Sequence, residues 1–162
     1  MSNSTDTPGV IAPPPLIYAA AVVAGILLDW LIPVYVLKVL LNGTTRIVIG
    51  IVLIAVGAAL AIAGERAFRA VGTNTPPWKP AINLATAGVF SYLRNPMYVG
   101  MTLMVAGLAV ALASDWMLVL LVPTVLVVHY GVVLREERYL EQKFGEPYRR
   151  FKASVSRYGW PA

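Results

Sequence analysis

Three groups of residues in this sequence have types and spacings suited to chemistry. The first is Tyr92-Leu93-Arg94-Asn95-Pro96-Met97-Tyr98-Val99-Gly100. Proline suits the first turn of a helix, where its missing N–H costs nothing, so Pro96 predicts a helix start. The free N–H groups and partial positive charge of such a start suit a carboxylate or another anion. Tyr98 would serve equally as an interfacial anchor. The second group is Glu136-Glu137. Two adjacent carboxylates at the edge of an apolar span are costly if desolvated and suit a cationic ligand, an ammonium or a sulfonium. On a solvated face they would instead pair with Arg135 and Arg138. His129 lies seven residues before Glu136, which places both on one helical face. Inside an apolar span it is either a functional group or a hydrogen-bond partner for a neighbouring helix.

The third group is Phe144-Gly145-Glu146-Pro147-Tyr148, with Val155, Arg157 and Trp160 beyond it. Arg149, Arg150 and Lys152 read as the headgroup-facing charges of an amphipathic tail, whereas Arg157 follows that helix and can fold back over a site. Asp29 stands apart in an apolar stretch. It reads as a hydrogen-bonding group within a bundle, since a carboxyl group in a span can be neutral; a polar pathway is the other option.

These groups must be positioned by membrane-spanning helices. Of the 162 residues, 58% are hydrophobic and 13% charged, against about 25% charged in soluble domains, which excludes a soluble fold. The chain has no cysteine and one histidine, which argues against disulfides, thiolate metal sites and a dedicated zinc site. The net charge is +5. Because the basic residues border apolar spans, membrane lipids rather than nucleic acid are the expected partner.

Residues 1–15 carry no Lys or Arg and four prolines, and read as a disordered tail. Residues 16–162 read as one membrane-embedded domain, an N-terminal two-span hairpin at 16–64 followed by a core at 65–162. Four spans of the roughly 20 residues that cross a bilayer are expected: Leu16–Leu41, kinked near Pro33; Ile47–Ala63; Met97–Ala113; and Trp116–Leu134, continuing as helix through Phe144. Ala81–Leu93 reads as a short interfacial or re-entrant helix. Gly145 suits a helix end, and Pro147 the start of a last helix to about Val155. Gly50, Gly57, Ala58, Ala61 and Gly64 allow close helix packing. The fold class is therefore an all-α polytopic membrane bundle with a C-terminal helix outside the bilayer. Eleven of the thirteen basic residues fall on one side, leaving only Lys38 and Arg46 opposite. The positive-inside rule puts that side, and both termini, in the cytoplasm, as in a bacterial inner membrane.

The segments RNPMYVG at 94–100 and EERYLEQKFGEPYRRFKASVSRYGWP at 136–161 resemble the integral membrane methyltransferases related to isoprenylcysteine carboxyl methyltransferase and the phospholipid methyltransferases. The resemblance covers roughly Gly72 to Pro161. It implies methyl transfer from S-adenosylmethionine to a lipidic or hydrophobic acceptor at the cytoplasmic face. It further implies that Arg94, Asn95, Pro96, Tyr98 and Gly100 line the cofactor pocket, with Tyr92 and His129 as extensions of it. Glu136 and Glu137 would face the cofactor's amino or sulfonium region, Glu137 would be the proton sink for an amine or thiol acceptor, and Arg157 would orient the acceptor. No metal is implied, and the oligomeric state is left open. Asn95 stands where the family has histidine, so a binding role rather than proton shuttling is expected there. Three alternatives remain: an NADPH-dependent membrane reductase of steroid-reductase type, a small four-span transporter using Asp29, and a scaffold without activity.

Overall fold

A computed structural model describes residues 6–159; Trp160 and Pro161 of the C-terminal motif lie outside the described residues. The described chain is all-helical. Helix α1 spans Pro14–Leu31, α2 Val36–Leu40, α3 Gly43–Ala70, α4 Pro96–Leu112, α5 Asp115–Val128, α6 Leu134–Phe144 and α7 Glu146–Ser154. A π turn, His129–Val133, joins α5 to α6 without a break, so Asp115–Phe144 is a single 30-residue rod. This rod, α1 and α3 are long and apolar enough to cross a membrane, and α4 is a shorter apolar helix of 17 residues.

Two antiparallel pairings build the bundle. Helix α3 lies on α4 along a seam of small residues seven apart, which keeps the contact on nearly one face of each helix. A Cβ on Gly57 would come within 2.5 Å of the Gly100 carbonyl oxygen, and one on Gly107 within 2.6 Å of that of Gly50. Gly64 faces Pro96 and Met97 in the same way. Bilayer helices gain from such close backbone approach because lipid offers no hydrophobic drive for association. Helix α1 packs on α5, with Gly25 against the backbone of Met117. The buried core where α1, α4 and the rod meet is formed by Tyr18, Tyr98, Ala109, Met117, Val132 and Val133, among others.

At one end of the bundle, polar groups tie the connections. The Asn42 side chain accepts from Thr45 N and caps α3; Ser114 caps α5 through Met117 N. Asp29 accepts from the Ser114 hydroxyl and, at 3.4 Å, from Trp116 N. Asp115 accepts from Leu37 N at 3.0 Å. Asp29 therefore anchors the start of α5, in agreement with the bundle-internal reading.

Three expected features differ. The first span does not run kinked to Leu41: α1 stops at Leu31, and α2 is a separate turn, because Pro33 has no N–H to continue the ladder. Ala81–Leu93 is not a helix but a loop with one 3-10 turn at Gly88–Ser91. Its first N–H groups are taken by side chains elsewhere, Ala81 N by Tyr139 Oη and both Ile82 N and Asn83 N by Thr73 Oγ1, and Gly88 has φ +66°. Residues 6–13, expected to be disordered, lie along the rod and α6, where Ile11 N donates to Gly131 O at 3.2 Å and Arg135 donates to Gly9 O at 2.8 Å.

Candidate functional site

The other end of the bundle gathers the loop after α3, the start of α4, and helices α6 and α7 around a cavity of about 660 Å³ of empty space, its open mouth included. Phe68 of α3, Phe90, Leu140 of α6, and Tyr148 and Phe151 of α7 give it an apolar wall; the Phe68 and Phe90 rings lie 4.8 Å apart. Thr73 to Leu84 form the opposite rim. That rim is held by its own side chains: Asn83 donates to Val71 O at 2.6 Å and Asn74 to Pro80 O at 2.8 Å. A smaller annex of about 230 Å³ shares Phe68, Phe90, Arg94, Asn95 and Glu136 with the main cavity and adds Pro96, Met97 and Tyr98. The cavities thus bring Arg94, Asn95, Pro96, Tyr98, Glu136 and Glu137 together.

The two adjacent glutamates have different surroundings. Successive residues on a helix point about 100° apart. Glu137 is buried, 5% exposed, and held by two guanidinium groups. Arg157 donates to it twice, at 2.8 and 2.9 Å, and Arg94 Nη1 lies 3.0 Å from Oε1. The Arg94 contact is an ion pair without an aligned hydrogen bond: its buried Nε and Nη1 find no hydrogen-bond acceptor among the described residues. The pair with Glu137 raises the pKa of Arg157. Glu136 instead receives the Tyr98 hydroxyl at 2.8 Å and, among the described residues, has no cationic partner; it lines both cavities.

The C-terminal segment is tied to the residues that open α4. Arg94 N donates to Ser156 O at 3.0 Å and the Asn95 amide to Arg157 O at 3.3 Å. Burial pushes the Tyr158 hydroxyl up to about 12, and this hydroxyl shares a hydrogen bond with His129 Nδ1, 2.7 Å away. Burial likewise raises the pKa of Tyr148 in the cavity wall.

Four expected site residues lie elsewhere. Tyr92 is 77% exposed at the end of the 3-10 turn and lines neither cavity. Gly100 faces α3 in the glycine seam, one turn beyond Pro96, and lines neither cavity. His129 pairs with Tyr158 and lines neither cavity, because the π turn between it and Glu136 rotates the helix register that a regular spacing assumes. Arg157 reaches Glu137 but not the cavity. The sequence reading, conversely, passed over the Thr73–Leu84 rim and the two phenylalanines. The polar tract with three prolines between two apolar spans was the available signal for the rim.

Fold and site together define an all-helical membrane bundle with a charged, partly enclosed cavity at one end. The sequence profile of the phospholipid methyltransferase family matches residues 45–147, more than half of the chain. The chain belongs to that family, and is a membrane methyltransferase acting on lipid. No curated protein and no solved structure matches it. Family membership sets aside the reductase and transporter alternatives.

Proposed function

We propose that the chain transfers a methyl group from S-adenosylmethionine to the head group of a membrane lipid, on the cytoplasmic side. The observation that carries this reading is the charge pattern of the cavity wall: buried Arg94 has unused donors, and Glu136 has no cationic partner among the described residues. Together they fit a zwitterionic amino-acid group, the carboxylate on the guanidinium and the ammonium on Glu136. When bound, S-adenosylmethionine would supply a methyl group on a positively charged sulfur.

The chain's own residues position and shield. Glu137 holds Arg94 and Arg157 in place, a positioning role rather than that of a proton sink, since both of its oxygens are engaged by guanidinium groups. Tyr98 fixes the Glu136 carboxylate. The apolar walls exclude water, and orienting the two reactants supplies much of the rate. In the annex, the Glu136 carboxylate and the Tyr98 hydroxyl stand beside Arg94 and Asn95, with Phe68, Phe90, Pro96 and Met97 as the apolar part of the lining. Glu136 is placed to take the proton that an amine acceptor would release.

The test is transfer of labelled methyl from S-adenosylmethionine to total membrane lipid by the purified protein. Label in an alkali-stable N-methyl lipid is the expected product. Label released as methanol by alkali would indicate a carboxylate acceptor, and no transfer to any lipid would contradict the reading.

A further inference from the structure

We infer that Asp6–Ile11 forms a strap across the mouth of the main cavity and governs exchange of the polar ligand held there. Identifying that ligand as a methyl-donor cofactor rests on the function proposed above; the strap does not. Pro8 lines the cavity, and the segment lies outside the residues that the family profile matches. Its anchors are Arg135, Tyr139 and Lys143, four residues apart and so on one face of α6. Arg135 holds Gly9 O at 2.8 Å, while Lys143 and Tyr139 both reach the Asp6 carboxylate, at 2.8 and 2.9 Å. The Lys143 and Tyr139 hydrogen bonds hold the Asp6 carboxyl below its ordinary pKa.

Tyr139 also binds the strap to the opposite rim. A phenol has one donor and two acceptor positions. Here the donor goes to Asp6, and the oxygen accepts from Ala81 N and from Lys143 Nζ, each at 3.0 Å. Both sides of the mouth therefore meet at one hydroxyl. The strap's far end is seated by Ile11, whose N–H reaches Gly131 O in the π turn at 3.2 Å. Its side chain fills the space that a Cβ on Gly131 would take. Most of these contacts are solvent-exposed and individually weak, so the strap can open locally while the bundle stays folded.

The chain has no cysteine, so one introduced thiol can report on the cavity. Leu84→Cys, in the cavity wall, is labelled with a polar maleimide in lipid nanodiscs, with and without Asp6→Ala or Gly131→Ala. Each added change is expected to speed labelling about fivefold, a factor on the order of what a weak surface contact supplies. Dissociation of bound S-adenosylhomocysteine should accelerate by a similar factor. Unchanged labelling in the Asp6→Ala background, an exposed substitution that leaves the bundle intact, would overturn the strap. Faster labelling in a protein that binds no S-adenosylhomocysteine would uphold the strap and overturn the cofactor assignment instead.

Discussion

Glu136→Gln is expected to lower kcat/KM by about 10²–10⁴-fold, the range for loss of a positioned proton acceptor, with little change in thermal midpoint. The substitution is isosteric, and the Tyr98 hydroxyl that now donates to Glu136 Oε2 can donate to the amide carbonyl instead. Only the charge is removed, and it is the charge that no cationic side chain among the described residues offsets. A steady-state assay with labelled methyl donor, paired with a thermal melt in detergent, reads both quantities. Activity near wild type would remove Glu136 from the chemistry. A large loss of midpoint would make the residue structural.

Glu137→Ala should behave in the opposite manner, with a thermal midpoint lower by several degrees and activity lost as a consequence. Removing one partner of a buried ion pair typically costs about 3–5 kcal/mol, because the other charge is left without compensation. The partly exposed side chain of Arg157 will be rehydrated, which puts the cost near the lower end of that range. Arg94, whose side chain is 8% exposed, cannot follow. The double variant Glu137→Ala with Arg94→Ala should recover part of the midpoint without recovering activity, since the cavity would lose the Arg94 guanidinium. A Glu137→Ala protein as stable as wild type would show that the two arginines do not depend on it.

The contrast between these neighbours explains what was legible in the sequence. Two adjacent glutamates at the end of an apolar run announced an acidic site, and Arg94-Asn95-Pro96 announced a helix start that contributes to it. Nothing in the string says that one carboxylate faces a cavity while the other is enclosed by arginines from positions 94 and 157. That division depends on which way α6 is turned, and the π turn at His129–Val133 sets it. The same turn misled the reading of His129, whose seven-residue spacing from Glu136 assumes an unbroken α-helix. Gly100 was misplaced for a related reason. A glycine near a helix start suits close approach by a ligand or by another helix, and here the Gly57 carbonyl occupies that side.

The membrane architecture was the most readable part, because hydropathy is a property of long segments and survives local error. The glycines of α3 were read as a packing seam and are one. The loop was least readable. Thr73, Asn74 and Asn83 look like ordinary turn residues, but their side chains bond backbone groups of the same connection, at irregular separations with no periodicity. The N-terminal segment escaped notice because its anchors are single contacts to α6 more than 120 positions away in the chain.

The most direct measurement is an experimental structure of the protein with S-adenosylhomocysteine bound. Ligand density filling the cavity between α6, α7 and the Thr73–Leu84 rim, its amino-acid end within hydrogen-bond distance of Arg94 and Glu136, is the expected result. Density elsewhere on the bundle, or a ligand that touches neither residue, would contradict the assignment of this cavity as the methyl-donor site.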